Sequence, residues 1–281
     1  MVLSALRPES IAGELVSFPL GGRHRPLDGF LSRSGKKPAR TLVVFVHGMG
    51  SNFYRSGFKK AMLRGVGSGV DVLTFNNRGA DTATAHEVFR DCLRDLDAAL
   101  DGCRCLGYRR FVLVGHSTGC QKITYYQAVR KRTDVAGMVL AAIGDDLAIA
   151  RRILGRRYGS EVAKARRLVD AGRPDTLVQG LDFPFAAHRF LSIADPASIE
   201  AKLFDMEGRL DHFRKLRVPL LVVLPEKEEY ACIPVEEMVE RLAAKTRADR
   251  FEAVIIGGAN HGFRGDEEIT AATILNWSRA V

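Results

Sequence analysis

The stretch Phe111 to Gly119, FVLVGHSTG, constrains this chain more than any other. An apolar run leads straight into Gly115-His116-Ser117-Thr118-Gly119, and the CQKITYYQAV that follows is helical in character. A strand that turns this abruptly into a helix forces the apex residue into a strained φ/ψ region, and small residues two before and two after it let strand and helix pass closely. Ser117 is therefore expected to project its hydroxyl above a sheet edge, in front of helix N-terminal amides that stabilise developing negative charge. Five-residue matches of this kind also arise by chance in strand-turn-helix crossings, so the reading depends on what the rest of the chain supplies.

The rest of the chain has the alternation such a turn requires. Short apolar β-branched runs alternate with longer segments of helical period, the signature of an α/β protein with a mainly parallel sheet. Leu15 to Phe18 and Pro26 to Ser32 read as a leading hairpin with its turn at GGRHR. Further strands are expected at Thr41 to Val46, Val70 to Phe75, Phe111 to Val114, Val135 to Ile143, Pro219 to Leu224 and Phe251 to Ile256. The clearest helix is expected from about Ala85 to Leu106, where Val88, Phe89, Cys92, Leu93, Leu96, Ala99, Leu100 and Cys103 form one apolar stripe. Thr84 and Glu87 have the spacing of a capping box at its start. Residues Asp145 to Arg217 break this rhythm, with no strand-like run of comparable strength. They read as a mostly helical lid, residues 145–217, inserted into a core formed by 1–144 and 218–281.

Three further features lie where acyl chemistry at Ser117 would need them. Val46-His47-Gly48-Met49-Gly50 follows a strand, and its glycine-rich turn can present the Met49 amide, with the Thr118 amide as second donor, to a substrate carbonyl oxygen. Gly258-Ala259-Asn260-His261-Gly262 follows the last strand and places a loop histidine where a general base belongs. Of the seven histidines His261 is the candidate: His116 neighbours Ser117 along the chain and reads as packing, and His47 reads as holding its own turn. His188, in the lid, is a candidate substrate contact. The orienting acid has several candidates. Glu228 lies four residues beyond Leu224, the last apolar residue of its strand, but Glu226, Glu229, Asp145 and Asp146 also follow strand ends. Any of these carboxylates could accept the His261 Nδ1–H and fix its tautomer.

The ordered set HGMG, GHSTG, acidic loop and GANHG resembles the α/β-hydrolase superfamily over nearly the whole chain outside the lid. The resemblance implies an α/β-hydrolase fold, Ser117 as nucleophile, His261 as general base and acid, and an acid near Glu228. VHGMGSNFY (Val46 to Tyr54), FNNRG (Phe75 to Gly79) and GHSTGCQKITYY (Gly115 to Tyr126) are similar to a branch that includes fungal siderophore esterases. The chain departs from the superfamily at the acid, where relatives usually show an Asp in a G-x-x-D-like turn and this chain has Pro225 and Glu228. A serine nucleophile argues against the epoxide hydrolase and haloalkane dehalogenase reactions of the superfamily, which use Asp. Hydrolysis of a small-molecule carboxylic ester is the expected activity. C–C bond hydrolysis, lyase or acyl-transfer chemistry, or a non-catalytic ligand receptor, are the alternatives on the same fold.

Neither a cofactor nor a metal is expected, because there is no G-x-G-x-x-G opening a helix, no P-loop and no cluster with ligand spacing. Five cysteines without a CxxC pair, and an N-terminal MVLSALRPESIAGEL broken by Arg, Pro and Glu, suggest a soluble, cytoplasmic chain with no transmembrane segment. The formal charge is +9. Much of it is concentrated between Arg151 and Arg173, where eight basic residues stand against only Glu161 and Asp170. A solvated amphipathic lid helix explains that run, and attraction of an anionic substrate is the functional alternative. Nucleic-acid binding is not expected, since no recognition motif accompanies the charge.

Overall fold

Six-residue runs such as TLVVFV and VDVLTF are buried at every position, so they need a sheet that is covered on both faces. The computed structural model, which describes residues 9–22, 24–67, 69–179, 181 and 183–281, provides one. In chain order the elements are β1 (Glu14–Phe18), β2 (Leu27–Ser32), β3 (Thr41–Val46), α1 (Gly57–Arg64), β4 (Val70–Phe75), α2 (Cys92–Cys105), β5 (Phe111–His116), α3 (Thr118–Arg130) and β6 (Val135–Ala141). There follow α4 (Asp146–Leu154), α5 (Tyr158–Asp170), β7 (Leu177–Val178), β8 (Phe185–Ala186), α6 (Ala187–Ala194), β9 (Leu220–Lys227), α7 (Val235–Lys245), β10 (Phe251–Asn260) and α8 (Glu267–Ala280).

Eight strands form one sheet in the order β1-β2-β4-β3-β5-β6-β9-β10. The pairs β1–β2 and β2–β4 are antiparallel, and every pair from β4 to β10 is parallel. Alternate residues of each central strand feed opposite cores. Leu42, Val44 and Val46 of β3 join α2, α3 and α7 on one face, while Val43 and Phe45 join α1 and α8 on the other. Because β3, β5, β6, β9 and β10 run in parallel, the segments at 47–51, 117, 142–146, 228–231 and 261–262 all emerge at the same carboxyl edge. In open α/β sheets that edge is where ligands bind.

The segment between β6 and β9 has its own small core, in which Ala150, Leu154, Val162, Ala165, Phe185, Phe190 and Ile193 are buried together. It is not wholly helical. Leu177–Val178 pairs antiparallel with Phe185–Ala186, a hairpin too short to register as a strand-like run in the sequence. Among the described residues no helix is long and apolar enough to cross a membrane.

Three other expectations need correction. The long helix begins at Cys92 rather than Ala85, preceded by 3₁₀ turns at Asp81–His86 and Phe89–Asp91. Thr84 and Glu87 form no capping box: Glu87 is extended and turns its carboxylate to Lys122 of α3 and Arg189 of α6, at 2.6 and 3.2 Å. Two buried cations claim a carboxylate more strongly than one free backbone amide does. The strand expected to reach Ile143 ends at Ala141, where Ala142 takes φ 51° and turns the chain away. Arg23 of the GGRHR turn and residues 1–8 of the expected core lie outside the described residues.

Candidate active site

Ser117 follows β5 directly and precedes α3, with φ 55° and ψ −130°. L-residues rarely adopt this conformation, and here it is held by the Ser117 amide donating to Ala141 at 3.0 Å and the Ser117 carbonyl accepting from Cys120 at 2.8 Å. The flanking glycines are sterically obligatory. A Cβ on Gly119 would lie 2.1 Å from the Val46 carbonyl oxygen, and one on Gly115 would lie 2.6 Å from the Cys120 nitrogen.

The turn after β3 closes on the same residue. A Cβ on Gly48 would sit 2.7 Å from Ser117 Cβ and 3.2 Å from its Oγ, so the Gly48-Met49 backbone passes immediately beside the hydroxyl. His47 is buried behind it, with Nδ1 donating to the Gly48 carbonyl at 2.8 Å and Nε2 accepting from the Asn77 amide at 3.3 Å. Burial, reinforced by the charge of Lys122, lowers its pKa to about 3, which keeps the ring neutral in this tautomer. Thr118 opens α3, so its amide has no carbonyl one turn earlier in the helix to bond.

The three glutamates at the carboxyl end of β9, which compete for one role in the sequence, take three different roles. Glu228 Oε1 lies 2.7 Å from His261 Nδ1, and its side chain is fully buried. Glu229 accepts the backbone amide of His261 at 2.7 Å, and Glu226 accepts that of Gly258 at 2.6 Å. The β9–β10 register slips between Ile256 and Asn260, with Gly258 at φ 76°. This bulge aims the loop that carries His261, and the outer carboxylates hold its amides. Asp145 instead caps α4 through the Ala148 amide and also accepts from Met206, while Asp146 accepts from Gln121 at 3.0 Å.

Ser117, Thr118, Met49 and His261 line a single cavity of about 320 Å³. The turn after β3 and α1 contribute Gly48, Ser51, Ser56 and Lys59, while α4 and the β7–β8 region contribute Asp146, Ile149, Leu181, Phe183 and Phe185. Tyr230 lies edge-on to the His261 ring with centroids 4.7 Å apart. His188 is not among the lining residues; its ring nitrogens meet the carbonyls of Pro174 and His86. Among the described residues no group of three or more His, Cys, Asp or Glu side chains is arranged to hold a metal ion.

The family model for the alpha/beta hydrolase family matches residues 43–272, which span the sheet from β3, every site residue named above and the start of α8. The chain belongs to that family. No curated protein matches it in sequence. Among solved structures, this hydrolase is similar to the siderophore hydrolase EstB from Aspergillus fumigatus, with 17% identity, 96% of this chain and 98% of that one covered, and a TM-score of 0.72. It is likewise similar to Est1E from Butyrivibrio proteoclasticus, with 16% identity, 96% and 100% coverage and a TM-score of 0.68. A soluble variant of monoglyceride lipase from Saccharomyces cerevisiae matches at 15% identity, 96% coverage of both chains and a TM-score of 0.63. At these identities the likeness is one of fold.

Several residues of this alpha/beta hydrolase escaped the sequence reading. His116 does more than pack: its Nε2 donates to the His261 carbonyl at 2.9 Å, and its ring sits in an aromatic cluster with Phe45, Phe58 and Phe263. Lys59 and Lys122 are buried at 1% and 0% exposure, where periodicity on a helix offers no warning of a buried lysine. Lys122 Nζ bonds Glu87 and Asn77, while Arg189 pairs with Glu87 and Glu200, so one buried charge network joins α3 to α6. The basic run from Arg151 to Arg173 is exposed and lines none of the cavity. Arg152 donates instead to the carbonyls of Glu229 and Ala231, beside the acidic loop, and Arg166 pairs with Asp195.

Proposed function

We propose that this protein is a serine hydrolase that cleaves a carboxylic ester of a small organic substrate through an acyl-enzyme. The observation that carries the reading is the 2.7 Å contact between Glu228 and His261 Nδ1, made by a histidine that shares its cavity with the strained Ser117. His261 Nε2 takes the Ser117 proton as Oγ attacks the acyl carbon, and the carbonyl oxygen becomes an oxyanion held by the Met49 and Thr118 amides. The imidazolium, stabilised by the Glu228 carboxylate, then protonates the departing alkoxide. Water deprotonated by His261 attacks the acyl-enzyme, and collapse of the second oxyanion releases the acid and restores Ser117.

In this reading residues 145–217 act as a lid, supplying Leu181, Phe183 and Phe185 as apolar walls for the substrate. Similar structures named as an esterase domain, a siderophore hydrolase and a monoacylglycerol lipase support ester cleavage as the class. The test is a fluorophosphonate probe together with p-nitrophenyl esters of graded acyl length. Wild type is expected to be labelled and to release nitrophenol, and Ser117→Ala to do neither. A wild-type protein that is folded yet unlabelled and inactive on every ester would sink the proposal.

A further inference from the structure

The cavity contains a cation that the chemistry at Ser117 does not use. Lys59, on α1, is 1% exposed, yet its side chain lines the same cavity as Ser117 and His261. Its Nζ donates to Ser51 Oγ at 2.6 Å and lies 6.0 Å from the centre of the Phe45 ring. Among the described residues no carboxylate is within ion-pair distance. Asp81, the acid that influences it, is already engaged by Asn52 and Arg55. A buried ammonium without a paired carboxylate is costly unless something else supplies the charge.

The groups around Lys59 are left as donors. Ser51 Oγ is occupied as an acceptor by Lys59 Nζ, and Ser56 Oγ by the Lys59 amide at 3.2 Å, so each hydroxyl hydrogen remains available. The ammonium has two further N–H groups beyond the one given to Ser51. Two hydroxyls and an ammonium converging on one wall match the oxygens of a compact anion, not a neutral chain.

We propose that Ser51, Ser56 and Lys59 form an anion subsite of the active-site cavity, so that the favoured substrate is an ester carrying a carboxylate in one of its two limbs. As a statement about substrates this rests on the hydrolase reading; as a statement about binding it does not. The opposite walls fit the rest of such a molecule, since Ile149, Leu181, Phe183 and Phe185 are apolar. Asp146 also lines the cavity, but burial and the carboxylate of Glu200 push its carboxyl well above the usual range, which favours the uncharged form and removes a repulsive charge. Burial lowers Lys59 to about 8 against the raising influence of Asp81, so the ammonium stays mostly charged at pH 7. The charge that faces the substrate thus comes from one buried lysine of the core, not from the basic run on the inserted segment.

The test uses two matched pairs, one for each limb. Mono-(4-nitrophenyl) adipate is compared with 4-nitrophenyl hexanoate, and 4-(butanoyloxy)benzoate with its methyl ester. In wild type at least one pair is expected to favour the anion in kcat/KM by about tenfold or more. Lys59→Met and Lys59→Gln are expected to bring that ratio to within about twofold of one. Calorimetric titration of the same ligands into Ser117→Ala, with and without Lys59→Met, reads the subsite independently of turnover. No anion preference in either pair, or a preference that survives loss of Lys59, overturns the proposal. Failure of fluorophosphonate labelling with intact, Lys59-dependent anion binding would overturn the reaction and leave the subsite standing. If the Lys59 variants do not fold, Ser51→Ala and Ser56→Ala replace them: each is expected to weaken the preference about threefold, and full retention in both counts against the subsite.

Discussion

Glu229 accepts the backbone amide of His261 at 2.7 Å, while the residue before it, Glu228, meets the imidazole of the same histidine. One carboxylate fixes where the residue sits and the other fixes its tautomer. The two should separate in kinetics. Glu228→Gln keeps the size but loses the charge that stabilises an imidazolium, and a fall in kcat of about 10²- to 10⁴-fold is expected. Glu229→Gln is expected to cost about tenfold or less, since an amide oxygen can still accept from the His261 amide. Steady-state kinetics on one p-nitrophenyl ester decides; equal losses would contradict the division of labour.

Gly48 offers a steric test of the oxyanion role proposed for its turn. A methyl group there would lie 2.7 Å from Ser117 Cβ. Gly48→Ala is expected to lower kcat by about 10²-fold, the scale of losing one oxyanion donor. Circular dichroism is expected to be unchanged, because the clash is confined to the turn. Full activity in the alanine variant would mean that the turn does not approach Ser117 as described.

The pH dependence of stability should carry the signature of His47. Its folded pKa of about 3 lies below the ordinary 6.5, so between these values the unfolded chain binds the extra proton. Stability therefore rises with pH through that window and is lost as pH falls below about 6.5. Between pH 7 and pH 5 the loss is about 1 to 2 kcal/mol. His116, also lowered to about 3 by burial and by His261, adds in the same direction, less strongly because its ring borders the cavity. Urea midpoints at the two pH values check this, and His47→Gln is expected to flatten the difference.

Glu87 is the shared anion of Lys122 and Arg189. Burial alone would raise its carboxyl, but the two cations overcome burial and hold it at about 2. Glu87→Gln leaves both cations short of charge in the interior, and a loss of about 3 to 5 kcal/mol is expected in denaturant unfolding. Adding Lys122→Met to that variant is expected to restore part of the loss, since the residual charge is then balanced by Glu200 alone. A second substitution that merely adds to the first would argue against a coupled network.

The parallel sheet and the tight strand-to-helix turn at Ser117 were legible because local chemistry dictates them: β-branched runs at 41–46 and 111–114, and glycines at 115 and 119 that tolerate no Cβ. His261 was legible for the same reason, as a glycine-flanked histidine after the last strand. The separate duties of Glu226, Glu228 and Glu229 were not, because a register slip in β10 decides which amide each carboxylate meets. Thr84 and Glu87 misled because the spacing of a cap says nothing of Lys122 and Arg189, which arrive from residues 35 and 102 positions further along. Lys59 was silent for a related reason. Whether a lysine on a helix points to water or to a cavity depends on the partner surface, which no short window of sequence contains.

The buried charges around Glu87 also limit how this chain can diversify. In a fold where an insertion merely rests on the sheet edge, one insertion can be exchanged for another and the scaffold beneath is indifferent. Here Arg189 of α6, in the segment between β6 and β9, completes a charge balance with Glu87 and Lys122 of the scaffold. A graft that lacks a cation at that point would strand Glu87 with a single partner, and a scaffold without Glu87 would leave the graft's arginine dependent on Glu200. Transfer of the segment between scaffolds thus succeeds only as a matched set, and chimaeras of this protein should be cut so that these three residues travel together.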